Sequence, residues 1–304
     1  MALAICVPVT VENTTKYLTV PIRFRLRGPD ESKLAIASEM IREAMKSMAD
    51  ISKAKVILLC DSWYPKGEVL ETVSSYENLD LIANVRSDTV VYDLPQVTGK
   101  RGRPAKKGKK LSVYDDFSFA EIGRYFIAAR TVMTNLFENP VYMAVTTTNL
   151  DNRKGYRLFL STINHEKLYA MFSSAAQTLN NDSARLSWLL PLYLYSLRWN
   201  IEVIFYELKT FWSFGNYMLR SRNGIENFIN ILSMTYACAK VIPFHDEFFS
   251  GFSHFSTQTT KYAFGEAIRK ELFLAQFVDF LETHLISLEN LHDFDILDFF
   301  AHSS

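Results

Sequence analysis

The chain has 304 residues, 48% of them hydrophobic, with 23 Phe, 15 Tyr and a formal net charge of zero. That supplies a sizeable core for one large or two smaller domains and excludes a wholly disordered chain. The three cysteines, Cys6, Cys60 and Cys238, lie far apart and show neither a disulfide framework nor zinc spacing, and no charge-free apolar run reaches the roughly 18 residues of a membrane span.

Residues 2–11 and 16–27 read as strands; "MALAICVPVTV" lacks the basic start of a signal peptide, and "KYLTVPIRFRLRG" alternates as a half-exposed strand does. Residues 31–50 have helical periodicity. The run Val56–Cys60 is continuously apolar, which predicts a strand buried on both faces in the middle of an α/β sheet, ending at Asp61. A helix, "KGEVLETVSSY", and a strand, "LDLIANVR", follow, and the succession argues for an α/β domain. Residues 88–165 change character, with short β-like runs such as "VYMAVTTT" and "YRLFLSTI" between turn-rich stretches. In their midst, residues 99–110, "GKRGRPAKKGKK", hold seven cations and no acid. From about 166 onward helices dominate, and residues 244–304 read as a Phe-rich, increasingly acidic helical tail.

The helix "YLYSLRWNIEVIFYELK", residues 193–209, is mostly apolar yet carries Tyr195, Arg198, Glu202 and Lys209. At about 100° per residue these four fall on one stripe roughly 60° wide, opposite Leu197, Ile201, Ile204 and Leu208. Two cations, a carboxylate and a phenol in a line suit a phosphate track containing a metal ligand. The same spacing also describes a solvated face on which Arg198 and Glu202 form an ordinary i, i+4 pair.

Asp61 ends a buried strand, where open α/β sheets place their ligands, although a loop or helix-capping aspartate reads the same way. Glu202 joined to Asp61 would hold Mg²⁺ or Mn²⁺, which prefer oxygen ligands, and such ions activate water and stabilise the leaving oxygen of a phosphodiester. Arg101 and Arg103 of "RGRP" fit a narrow minor groove, and Lys106, Lys107 and their neighbours suit phosphates; a solvated charge run is the alternative. Trp188, Trp199 and Trp212 could stack on an extruded base, but in a helical region at least two of them belong in a core.

The spacing Tyr195-x2-Arg198-x3-Glu202-x6-Lys209 resembles the Y-R-E-K signature of DDE-superfamily insertion-sequence transposases, in the group named after insertion sequence four. "LLCDSWY" resembles that group's strand-plus-aspartate motif, with Trp63 where a small residue is commoner. The resemblance implies an RNase H-like α/β fold with a β-rich insertion (88–165, with the basic loop 99–110), a catalytic helix within 166–243 and a helical tail at 244–304. It implies metal-dependent DNA nicking and strand transfer at transposon ends by a homodimer in a prokaryotic, nucleoid-associated setting. Asp61 and Glu202 would be metal ligands and catalytic residues, and Tyr195, Arg198 and Lys209 would contact DNA. One departure stands out. An RNase H-like fold carries its first catalytic Asp on a first strand, whereas residues 1–87 read as starting at the second. The expectation is therefore an N-terminally truncated transposase, inactive alone; the alternative is a non-catalytic DNA-binding remnant or a repurposed scaffold.

Overall fold

The structure is a computed structural model that describes residues 1–11, 14–47, 54–96, 105–176, 187–253 and 256–285, with side chains undescribed at 172–176, 187 and 281–285. Two compact units result, Met1–Met234 and Thr235–Ser304.

The first unit opens with a hairpin of β1 (Ala2–Val11) and β2 (Thr14–Phe24), a two-stranded antiparallel sheet of its own. Its register slips between Leu3↔Arg23 and Ala4↔Pro21. Proline has no N–H to give a ladder, which is why the irregularity sits there. After α1 (Lys33–Ser47) the second sheet begins with β3 (Val56–Cys60), which pairs in parallel with β4 (Leu79–Val85); α2 (Glu68–Ser74) makes the crossover. β5 (Val91–Tyr92), β6 (Lys110–Leu111), β7 (Ala120–Ile122), β8 (Tyr125–Thr134), β9 (Val141–Thr147) and β10 (Arg157–Ser161) complete it in the order β3-β4-β10-β9-β8-β5-β6, with β7 on β8. Because β10 returns to pair antiparallel with β4, residues 88–165 extend the sheet that β3 and β4 begin.

Alternation assigns the two faces of this sheet. On one, Val56, Leu58 and Cys60 pack with Leu79, Leu81 and Ala83 against Ile41 and Met45 of α1 and Val69 and Val73 of α2. That apolar face continues through Val85, Leu158, Val145 and Ala128. On the other, Ile57, Leu59 and Ile82 meet Leu190 and Leu194 of α4 (Leu190–Ser196). The chain runs on through a 3-10 turn, Leu197–Trp199, into α5 (Asn200–Phe211), so the predicted helix 193–209 is one helical rod with a tightened turn at Arg198. Ile204 and Leu208 are buried as the stripe predicts.

The same helices cover the hairpin sheet. Arg23 of β2 and Arg25, just past its end, reach Glu43 and Glu39 of α1. From the other side Tyr193 meets Tyr17, Phe205 meets Phe24 edge-on, and Asn200 donates to Thr19 Oγ1 at 2.8 Å. α6 (Arg222–Val241) closes the outer edge of β2: Asn230 Oδ1 accepts from Phe24 N–H at 2.9 Å, its Nδ2 donates to Phe24 O at 3.0 Å, and Glu226 accepts from Leu26 N–H at 3.0 Å.

One expectation is corrected here. Val56–Cys60 has both faces covered, as expected, but it does not lie in the middle of its sheet: all five residues are half-buried, and among the described residues β3 is the terminal strand. Val56 N–H donates to Asn78 O, so 56, 58 and 60 face β4 and the backbone groups of Ile57 and Leu59 face away, where the sheet has no further strand among the described residues. Among the described residues β1 is likewise paired on one side only. In the second unit the principal element is α7 (Thr257–Leu285).

Candidate active site

Asp61 follows β3 directly, and alternation puts its side chain on the face of Ile57 and Leu59, the face that α4 covers. Its carboxylate is exposed; Oδ1 accepts from Ser62 N–H at 2.7 Å, and its carbonyl accepts from Tyr64 N–H at 3.0 Å. The tight turn thus fixes the carboxylate at the strand end.

Tyr195 lies over the same face, its ring edge-on to Phe159 of β10 with centroids 4.9 Å apart. Burial holds its phenol above the ordinary value; the Arg198 charge and hydrogen bond oppose this, and the nearby Asp61 and Cys60 add to it. Cys60 is pushed up to about 12, by burial first and then by the Asp61 carboxylate, with Arg198 opposing. Asp61, Cys60, Tyr195 and Arg198 therefore share one electrostatic neighbourhood.

Arg198 extends the cluster to Glu202, its Nη1 lying 3.3 Å from Oε1. Its side chain is only 20% exposed against 48% for Glu202, and its Nε is buried with no hydrogen-bond partner among the described residues. This end of the stripe is not a solvated face: a cation is held against the protein, and the acid paired with it is open. Lys209, two turns beyond Glu202, is exposed, with Nζ 5.9 Å from the Phe205 ring centroid.

Of the three tryptophans in the helical region, Trp212 is buried, Trp188 is half-buried, and Trp199, next to Arg198, is 63% exposed. Trp63, in the turn after Asp61, is also exposed and carries Lys66 Nζ 3.5 Å from its ring centroid.

Arg101 and Arg103 lie outside the described residues. Lys106 is exposed, and Lys107 donates to Asn135 and stands 5.0 Å from the Tyr92 ring centroid. Gly108 brings the loop back onto β5: a Cβ there would meet Leu94 O at 2.5 Å, so only glycine lets the chain pass so close while donating to Asp93 O. The structure thus puts Asp61, Tyr195 and Arg198 in one neighbourhood, with Glu202 paired to Arg198 and Lys209 further along the same helix; the basic loop leaves from the far side of the sheet, between β5 and β6.

Residues 19–238, more than two thirds of the chain, match the family model of the transposase DDE domain. The chain belongs to that family. The matched span contains Asp61, the whole helical stripe and the basic loop. A comparison with curated proteins gives no match. DDE transposases are DNA-processing enzymes that generally depend on divalent metal ions. Among the described residues no three His, Cys, Asp or Glu side chains come together as a metal site, and no helix is long and apolar enough to cross a membrane. Asp61 and Glu202 are both open oxygen donors. That chemistry fits Mg²⁺ or Mn²⁺, an ion of a kind that takes one or two carboxylates and fills its other positions with water and phosphate oxygens.

Proposed function

We propose that the chain is the catalytic part of a Y-R-E-K-type insertion-sequence transposase, with an RNase H-like core, acting on DNA at transposon ends. The observation that carries this reading is the run Asp61–Tyr195–Arg198–Glu202: a strand-end carboxylate beside a phenol, then a half-sequestered guanidinium, then an open carboxylate. Asp61 and Glu202 would hold the divalent ion, which when bound supplies charge neutralisation at the phosphodiester and an activated water. In cleavage the water oxygen bonds to phosphorus and loses a proton to solvent as the bond to the leaving deoxyribose oxygen breaks, that oxygen leaving as a hydroxyl. Arg198 and Lys209 place positive charge along the phosphate line. The raised Tyr195 phenol stays protonated at neutral pH and so remains a donor to a phosphate oxygen.

A third carboxylate would come from a strand seated between β1 and β3. Support comes from the sheets themselves: among the described residues each ends at an open edge on one of these strands, and the same helices cover both sheets on both sides. Without that strand the chain is a weak metal binder. A non-catalytic DNA-binding role is the second reading, favoured by the ion pair that already holds Glu202 and by the lack of a three-ligand cluster among the described residues.

The test is Mn²⁺ binding followed by electron paramagnetic resonance on the wild-type chain and on Asp61→Asn and Glu202→Gln. Weak binding lost in both variants is expected. Equal binding by all three proteins would remove the pair from the metal site and leave the DNA-binding reading.

A further inference from the structure

Most described arginines reach a carboxylate, as Arg86 does Asp88 and Arg130 does Asp93. Among the described residues Arg124, Arg153, Arg157 and Lys154 do not, nor do Arg27, Arg42 and Arg220; the β registers bring the first four to one end of the large sheet. Cys60 pairs with Ala83, so Asp61 stands level with Asn84, which pairs with Phe159 of β10, the residue under Tyr195. Arg157 lies two residues back along β10 and so on the same face, opposite Thr146 of β9, which in turn pairs with Ile127 of β8. Tyr125, two residues before Ile127, continues that face to the β7–β8 turn, where Arg124 donates to the Tyr125 hydroxyl at 2.8 Å. Lys154 and Arg153 sit in the β9–β10 connection beside Arg157, Arg153 lying 4.9 Å from the Tyr114 ring centroid.

At about 3.4 Å per residue and about 4.8 Å between strands, Arg157 is roughly 12 Å from Asp61. That is about three to four nucleotides of axial rise. The neighbouring acids do not cancel the charge. Glu121 pairs with Phe126 and therefore points to the opposite face, and Asp88 is taken by Arg86; Asp151, in the β9–β10 connection, is the acid that remains close.

We infer that the β10–β9–β8 end of this face, through Lys154, Arg157 and Arg124, is a second DNA-binding surface that takes the phosphates flanking the scissile one. It rests on the reading that the chain binds DNA. The basic loop leaves the sheet elsewhere, between β5 and β6, so the two surfaces grip different stretches of the duplex.

The experiment is fluorescence anisotropy of the full chain on a blunt DNA duplex of mixed sequence across a salt series. The proteins are wild type, the double variant Lys154→Gln/Arg157→Gln, and Lys167→Gln, an exposed lysine on α3 (His165–Ala176), which follows the opposite end of β10. The double variant should lower the slope of log K against log salt by about 1.8, at about 0.9 per lost phosphate contact, while Lys167→Gln leaves it unchanged. An unchanged slope in the double variant, or an equal fall in the Lys167 variant, overturns the second surface and leaves the proposed function standing. A wild-type chain that binds no DNA overturns both.

Discussion

Arg198 holds Glu202 through an ion pair of 3.3 Å one helical turn away, and the same guanidinium stands beside the Tyr195 phenol. An i, i+4 pair of this kind contributes only about 0.3–0.5 kcal/mol to stability. Its role lies in placement: it keeps the Glu202 carboxylate and the Tyr195 hydroxyl in one orientation. Arg198→Lys preserves charge but not the planar fork that reaches both partners. We expect it to change the thermal midpoint by no more than a degree or two, and to weaken DNA affinity or the cleavage rate at least tenfold. Calorimetry and DNA titration on the same samples check this; a variant with wild-type affinity and rate would make the arginine a surface pair.

Asn230 completes the outer edge of β2 from a helix, giving and taking a hydrogen bond at the backbone of Phe24. Asn230→Ala leaves a half-buried N–H and C=O unpaired, which costs about 1–3 kcal/mol. Urea unfolding should show a lower midpoint with an unchanged slope. Asn230→Asp keeps the acceptor alone and should fall between the two; stability equal to wild type in both would mean that water satisfies this edge.

Several groups are held protonated by the fold. Cys60, Tyr17 and Tyr142 are each raised to about 12, by burial first in every case, from ordinary values near 9 for the thiol and 10 for the phenols. Above its unfolded value the unfolded chain loses a proton that the folded chain keeps, so folding is opposed. The contribution is fully present below about pH 9, falls first through Cys60 and then, above about pH 10, through the tyrosines as well, and is gone once pH passes about 12. Urea midpoints measured from pH 8 to pH 11 should decline, and Cys60→Ala should delay the onset by about one pH unit. A flat profile would show that these groups titrate as freely folded as unfolded.

The basic loop adds a separate test. Neutralising Arg101, Arg103, Lys106 and Lys107 together should lower the salt slope of DNA binding by up to about 3.6, less if the arginines enter a groove rather than meet phosphates. Lys107 already bonds Asn135 and lies by Tyr92, so its share should be the smallest of the four. An unaltered slope would make the loop a bystander.

Local periodicity made part of this molecule readable. The offset pattern of Tyr195, Arg198, Glu202 and Lys209 needs only 3.6 residues per turn to be seen, and Ile204 and Leu208 are buried on the side opposite, as it requires. The run Val56–Cys60 misled because apolar continuity reports which side chains meet a core, not whether the backbone edge has a neighbour. The position of Arg157 relative to Asp61 was out of reach for another reason: it depends on the β4–β10 register, a pairing between segments more than seventy residues apart. Asn230 was equally invisible, since one amide in a helix gives no sign that it completes a distant strand.

The two open sheet edges lead to the last expectation. β1 pairs along its length with β2, and the outer edge of β2 is met by Asn230 and Glu226, so among the described residues the unpaired edge of that sheet is β1. In the other sheet the outward backbone groups of Ile57 and Leu59 belong to an apolar strand with all five residues half-buried. Exposed apolar strand edges pair with other chains, and buried unpaired ones are costly. The 304-residue chain should therefore associate through these edges and nick DNA poorly with Mg²⁺ or Mn²⁺. Co-expression with a segment containing a short apolar strand and an aspartate, fused ahead of residue 1 or supplied separately, should raise solubility and restore nicking of transposon-end DNA. Replacing that aspartate by asparagine should keep the gain in solubility and lose the nicking, which separates repair of the sheet from supply of a ligand. Robust metal-dependent cleavage by the 304-residue chain alone would sink the idea and place a third carboxylate within it.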